Sequence, residues 1–495
     1  MTGGDCVVDM NGDHLDDVVS ASSTNIRIQH QLAGGGFAPV NITTTPADNT
    51  PSWSIAAGDI DGNGFNDLLY GGGSGATFMM ANDDGTAFTE VSFPQYIFSQ
   101  RTNMVDINND GNLDAFVCHD VDANVSFLND GTGNLSFGQG GFGLTCGNYG
   151  SVWIDYDNDG LMDCFVAKCG CDPVDLLMHN NGDGTFTNVA GPLGFADNHQ
   201  SWSSAWGDFD NDGDMDVLVG GSSSGYNKLI SNNGDGTFTN VTPGSGFDLF
   251  NGQSIEWTTH DFNNDGYLDV LGGGAIMYGN GAMVFAQGPS YPGTGAVGDL
   301  NNDGFLDVMG WSAPMMNGGN DYNWLKVNTI GTVSNTNGIG ARVMVTSNLG
   351  SQIRDVKSGD AFSTMSSLTT HFGLGADQVV EELRIQWPSG IVTVLNDVPA
   401  NTTVNVVEEL NTSLVEAPER TALRVYPNPT EDRLYFEMPT SSGTRQATVF
   451  DITGKRIMEP MPVLNNMDVS TLSSGMYLLR VQQDGQLFQT TFNRR

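Results

Sequence analysis

Basic side chains are almost missing from the first two thirds of this 495-residue chain: up to residue 320 there are only Arg27, Arg101, Lys168 and Lys228. Against these four stand 40 Asp or Glu, which puts −36 of the total formal charge of −40 into that region. A phosphate backbone or an anionic bilayer needs Lys or Arg to neutralise it, so the composition argues against nucleic acid and acidic membranes as partners. Glutamate is scarce in the same region, with only Glu90 and Glu256. A merely solvated acidic surface would use both acids, whereas short carboxylates placed in turns suggest ligation. No stretch approaches the roughly 20 apolar residues that span a bilayer, so no transmembrane segment is expected. Met1 to Asp5 lacks the basic start and apolar middle of a secretory signal. Cysteines number six, Cys6, Cys118, Cys146, Cys164, Cys169 and Cys171, enough to pair in an oxidising compartment in an order the sequence leaves open. Zinc at Cys169 and Cys171 is disfavoured, because one intervening residue is too short a spacing and no second ligand pair follows.

What the region does contain is a repeat: Asp, any residue, Asp or Asn, any residue, Asp or Asn, usually Gly, two more, then Asp. It starts seven times, at Asp9, Asp59, Asp106, Asp155, Asp208, Asp261 and Asp299, and an apolar strand-like run follows each copy. In DFDNDGDMD the acids Asp208, Asp210, Asp212 and Asp216 take positions 1, 3, 5 and 9, with Gly213 at position 6. Alternate residues of a tight loop aim carboxylates inward and a mid-loop carbonyl adds an oxygen, which suits the six to eight oxygens of calcium better than the tight octahedron of magnesium. The remaining copies offer Asp9, Asn11, Asp13 and Asp17; Asp59, Asp61, Asn63 and Asp67; Asp106, Asn108, Asp110 and Asp114; Asp155, Asp157, Asp159 and Asp163; Asp261, Asn263, Asp265 and Asp269; and Asp299, Asn301, Asp303 and Asp307. Turn propensity alone would explain any single loop. It does not explain an acid at position 9 in every copy, so up to seven calcium ions are expected, with affinities varying with the Asp to Asn ratio. Copy one carries His14 where the others have Gly, which makes its geometry the least certain.

Asp-Gly turns in NNGDGTFTNV, from Asn180 and again from Asn232, predict hairpins. Each unit of about 50 residues thus reads as four short strands plus a metal loop, a propeller blade. These residues resemble the integrin-like FG-GAP or VCBS repeat family over residues 1–318. The resemblance implies a seven-bladed β-propeller with calcium in a loop of each blade and ligands met on a face of the disc. The chain starts just before the first loop, so the first blade is expected to lack leading strands, or to be completed by strands that follow Asp307.

Residues 319–412 alternate in strand fashion, and WLKVNTIGTVSNTNGIGARVMV, HFGLG and WPSGIVTVL resemble the ASPIC/UnbV domain that follows such repeats in cartilage acidic protein-like chains. Residues 413–421 read as a linker. Residues 422–495, through Tyr426 to Pro429, Gly454, Lys455 and Gly475 to Leu478, resemble the type A sorting domain of the type IX (Por) secretion system and suggest a small β-sandwich. That resemblance implies Bacteroidetes-type export, the secretion machinery as a partner, and an extracellular or outer-membrane location. Such cargo should begin with a secretory signal, so a truncated or misassigned start is expected.

The whole is therefore read as an all-β, secreted or cell-surface module for adhesion to, or display toward, a glycan or protein, and not as an enzyme. The alternative is a polysaccharide lyase or glycoside hydrolase on a calcium-stabilised propeller. Its weakness is that few cations are present to steady a developing anion and most carboxylates are committed as ligands. His14, His30, His119, His179, His199 and His260 look scattered, with none at a repeat-equivalent position beside a partner. His371 is expected to pack. Trp53, Trp153, Trp202, Trp206, Trp257 and Trp311 flank the loops and read mainly as packing residues, with Trp202 and Trp206 as candidates for sugar stacking.

Overall fold

The computed structural model describes the chain except residues 1–4, 223–225, 291–293, 311–312, 410–422, 438–444, 452–455 and 484–485. Trp311, Gly454, Lys455 and the proposed linker lie outside the described residues. The protein is all-β; the only helix among the described residues is Ala190–Leu193. Two compact units divide the chain, Met1–Leu410 and Asn411–Arg495.

The first unit opens with six four-stranded antiparallel sheets, each in simple sequence order, and a three-stranded seventh. Sheet 2 is typical, with Ser54–Gly58, Asp67–Gly71, Ala76–Ala81 and Phe88–Ser92. Its first two strands are buried along their whole length while the fourth is mostly half-buried. That gradient explains why the strand after each metal loop is an unbroken apolar run and not an alternating one. The metal loop always joins the first strand to the second, and the Asp-Gly hairpin joins the third to the fourth, as Leu176–Asn180 pairs with Phe186–Asn188.

Apolar clusters are shared by successive sheets, for example Ile154, Phe165, Trp206 and Val217 between the fourth and fifth. The last such cluster unites the seventh sheet with the first through Val7, Val18, Ala296 and Leu300. Sheet 1 has a first strand of its own, Asp5–Val7, paired to Val18–Ala21. The strands after Asp307 stay in the seventh sheet, where Asp307–Met309 pairs with Ala296–Gly298 and Pro314–Met315. The first sheet therefore neither lacks its leading strand nor borrows one from the far end.

Two further sheets complete this unit. Asn323–Ile330 lies between Thr370–Gly375 and, in parallel, Thr402–Val407. The other sheet orders Gly350–Asp355, Arg342–Ser347, Val379–Gln386 and Val392–Pro399. Their shared core of Leu325, Val343, Phe372, Leu383 and Trp387 runs without a break into the core of the first three repeat sheets. The second unit builds a three-stranded and a four-stranded sheet around its own core, including Leu434, Val449, Leu479 and Phe492.

Candidate metal centres and the domain above them

All seven loops take one shape, and the reason lies in the backbone. Positions 4 and 6 sit in the left-handed region, with position 6 at φ +93° for Gly64 and +96° for Gly213, and with Gly or Asn at position 4. Glycine reaches this region freely and asparagine tolerates it. His14 adopts it too, at φ +64°, so the odd first copy keeps the common geometry. The turn aims the position-6 N–H at the position-1 carboxylate in every copy, from His14 to Asp9 at 2.7 Å through Gly304 to Asp299 at 2.8 Å.

The acid at position 9 is the deepest group of each loop. One of its oxygens accepts the N–H of position 2 and the other an N–H near the end of the third strand. For Asp216 these donors are Phe209 at 3.0 Å and Asn232 at 2.8 Å. For Asp67 they are Ile60 and Ala81, and for Asp307 Leu300 and Asn317. Burial nevertheless pushes these carboxyls up, Asp114 and Asp307 to about 7, Asp67 and Asp216 to about 8, and Asp163 to about 9. Asp59, Asp106, Asp155, Asp208 and Asp261, at position 1 of their loops, rise for the same reason, Asp208 to about 7. Desolvation penalises the charged form, and a cation among the acids would reverse that penalty.

Three loops bring acids close enough to share an ion: Asp59, Asp61 and Asp67; Asp155, Asp157 and Asp159; and Asp208, Asp210 and Asp216, each set with ligand atoms within 4.8 Å of one another. Buried oxygens of Asp210 and Asp261 make no hydrogen bond, which fits a place for a cation. In the other loops Asn stands at position 3 and its amide donates to the position-5 acid, as Asn108 does to Asp110 at 2.9 Å and Asn301 to Asp303 at 2.9 Å. Those loops form no three-acid group among the described residues.

Two histidines correct the reading that none recurs at an equivalent place. His30 and His179 each precede the residue whose N–H binds the position-9 acid, Gln31 to Asp17 and Asn180 to Asp163. His30 Nδ1 lies 2.8 Å from Asp17, and His179 Nδ1 lies 3.2 Å from Asp157 and 3.3 Å from Asp163.

Residues 323–407 sit over the metal loops and touch them with side chains the repeat pattern did not single out. Lys326 Nζ reaches Asp299 and Asn302, each at 2.7 Å. Arg342 is shared between Asp355, at 2.7 Å, and Asp155, whose carbonyl accepts at 2.6 Å and whose carboxylate lies at 3.5 Å. Asn337 accepts from Asp59 N at 2.8 Å, His371 Nε2 meets Gly304 O at 3.0 Å, and Gly375 N donates to Asn264 O. His371 is thus packed, as its isolation suggested.

From this cap the segment Ser358–Ser367 descends among the first strands of the sheets. Met365 O accepts from Val7 N, Ser363 O from Ile55 N, Gly359 O from Asn103, and Val297 O from Ser367 N. Phe362 stacks on Tyr149, and Asp360 binds Thr258 at 2.8 Å and His260 at 3.3 Å. Sequence reading missed this segment because it is polar and aperiodic. Its one advance signal was rarity, since it is held by Glu256 and Arg101, types nearly absent from the repeat region.

Trp153, Trp206 and Trp257 are buried between sheets, which removes Trp206 as a sugar platform, while Trp202 and Trp53 remain half-buried. Cys146 and Cys171 form a disulfide, and Cys169 Sγ contacts Gln200, so no zinc pair exists there.

A multi-sheet β protein with an Asp-rich loop in every sheet is one class of structure, and sequence comparison places the chain within it. The FG-GAP-like repeat model matches residues 9–70, 59–117, 106–166, 155–219 and 217–272, more than half of the chain, and the protein belongs to the FG-GAP repeat family. The ASPIC and UnbV model matches residues 331–413 and the secretion system C-terminal sorting domain model residues 424–492. The sorting domain indicates type IX secretion to the cell surface or extracellular space. No helix among the described residues is long and apolar enough to cross a membrane. Comparison with curated proteins gives no match. Among solved structures the chain is similar to an Agrocybe aegerita lectin that recognises non-reducing terminal N-acetylglucosamine, at 17% identity, 58% of this chain, 79% of the other and TM-score 0.40. It is also similar to the BP39L lectin of Burkholderia pseudomallei, at 13% identity, 80% and 99% coverage and TM-score 0.43. A third is a biofilm matrix protein of V. cholerae, at 11% identity, 100% and 66% coverage and TM-score 0.31.

Proposed function

We propose that the protein is a secreted or surface-held, calcium-loaded, seven-bladed propeller that binds or displays toward a glycan or protein and is not an enzyme. The observation that carries this reading is the single backbone geometry of seven Asp-rich loops, each with a buried position-9 carboxyl, three of which bring three acids close enough to share an ion. All seven sets from Asp9 to Asp307 named above are the proposed ligands. The cluster joining the seventh sheet to the first supports a closed ring, and Ser358–Ser367 then fills its channel. Two sheets around one core support a sandwich for the sorting domain.

Binding is favoured over catalysis because the carboxylates are spent on loops and the few cations on structure. The cap covers the ends of the strands that carry metal loops, so a partner has the opposite ends open to it. There Tyr96, Val121, Leu144, Tyr226 and Leu249 are exposed, on turns between the second and third strands or between sheets. Metal analysis after dialysis against calcium, followed by a glycan array with the loaded and the chelated protein, tests the reading. Six or seven calcium ions per chain with calcium-dependent glycan or protein capture is the expected result. A chain that retains no calcium and melts identically with chelator would overturn it.

A further inference from the structure

The fourth loop differs from the other six in one respect that bears on which ion it takes. In a side chain that is 28% exposed, the His179 Nδ1 atom is itself buried and makes no hydrogen bond, yet it faces Asp157 at 3.2 Å and Asp163 at 3.3 Å, and the three residues offer ligand atoms within 4.8 Å of one another. The ring is fixed by its place on Leu176–Asn180 and by an edge contact with Tyr156, 6.3 Å between centroids. The equivalent positions in the other sheets hold His30, Met80, Leu128, Ser231, Tyr278 and Met316. His30 is the informative contrast. Its Nδ1 makes a 2.8 Å hydrogen bond to Asp17, so that imidazole serves as a hydrogen-bond partner of its acid. The His179 nitrogen sits astride two carboxylates and bonds neither.

We propose that Asp157, Asp163 and His179, with Asp155 and Asp159 beside them, form a mixed carboxylate and imidazole site for a transition-metal dication such as Zn²⁺, while the other loops take calcium. Bonds of about 2.1 Å place neighbouring ligand atoms about 3.0 Å apart at octahedral corners and about 3.4 Å apart at tetrahedral ones, which the two nitrogen-to-oxygen separations match. Those distances alone would also admit calcium. The nitrogen decides, since a hard cation seeks oxygen, whereas imidazole draws the borderline metals. The fourth loop is also one of two with acids at all four positions, so its charge suits a strongly held dication.

This inference rests on the reading of the loops as metal sites, and the test separates the two. The full chain is stripped with chelator, dialysed against excess calcium containing one equivalent of Zn²⁺, desalted and analysed for both metals. Wild type and His30→Gln should each retain one zinc, and His179→Gln should bind it at least tenfold more weakly, because loss of even a supporting partner of a ligand costs about 10–100-fold. Calcium at the remaining loops reports that each variant is folded. Zinc that wild type does not retain, or that His179→Gln retains equally, overturns the inference whatever the calcium count. Zinc retained without calcium elsewhere would instead sink the calcium reading and leave this one standing.

Discussion

Arg101 and Glu256 meet at Phe362 of the descending segment: the guanidinium donates to Phe362 O at 3.0 Å and Thr364 O at 2.8 Å, while the carboxylate accepts from Phe362 N at 3.0 Å and Ser363 N at 2.6 Å. Both side chains are buried, and burial shifts each toward its neutral form, Arg101 down and Glu256 up. Such charges persist only because each answers several backbone groups. Arg101→Met should therefore leave two buried carbonyls unsatisfied, at about 1–3 kcal/mol each, and lower stability by about 3 kcal/mol. Chemical unfolding measures the loss, and limited proteolysis should find new cleavage within residues 358–367.

Metal-free protein should respond to pH in the opposite sense from most acidic proteins. All seven position-9 acids are raised by burial, and Asp67, Asp114, Asp163, Asp216 and Asp307 reach about 7 to 9, well above an unfolded aspartate. Between about pH 4 and those values the native state binds protons that the unfolded chain has lost, so stability falls as pH rises through the window. In chelator the melting temperature should drop steadily from pH 5 to pH 9. Saturating calcium should abolish or reverse the slope, because an ion bound only by the native state replaces the protons. A chelated protein whose melting temperature rises over that range would contradict the loop chemistry.

The metal loops were legible in the sequence because their determinants are local: acids at fixed offsets, a glycine where φ must be positive, and an apolar strand after each. The cap's grip on those loops was not, because it depends on residues brought together from far along the chain. Lys326 reaches back to Asp299, Arg342 to Asp155, and Asn337 to Asp59, pairings with no sequence periodicity. The first strand of sheet 1 was missed for a related reason. Three residues, Asp5–Val7, are too few to show a pattern, and their strand character comes from pairing with Val18–Ala21 and from Met365 of the cap. The recurrence of His30 and His179 was hidden because the third strands begin at variable distances after their loops.

Cys146–Cys171 closes a separation of 25 residues between the turn before the fourth sheet and the turn after its second strand. Chain-entropy bookkeeping for a loop of that size gives about 3.5 kcal/mol. The double variant Cys146→Ser with Cys171→Ser should unfold at correspondingly lower denaturant. Cys6, Cys118 and Cys164 are buried thiols, with Cys118 pushed up to about 12 by burial, so none should replace the lost bond. Thiol labelling of the native variant should find Cys169 alone.

Lys326 sets up an ordering among the seven loops. Its ammonium lies 2.7 Å from the position-1 carboxylate Asp299, and that loop already has Asn301 in place of an acid. An ion on the free lone pairs of Asp299 would stand roughly 4–5 Å from the ammonium, and the repulsion costs on the order of 1–2 kcal/mol even at the dielectric of bulk water. The seventh loop should therefore bind calcium most weakly, about tenfold below the other Asn-containing loops. Lys326→Met should tighten one calcium site by about that factor and leave the rest unchanged, as read by calorimetric titration. The same substitution removes an anchor between the cap and the seventh sheet, so the chelated variant should melt earlier than chelated wild type. Tighter calcium with a less stable chelated form is a pairing that a purely structural lysine would not produce, and loss of calcium affinity at that loop would show instead that the ammonium helps to shape it.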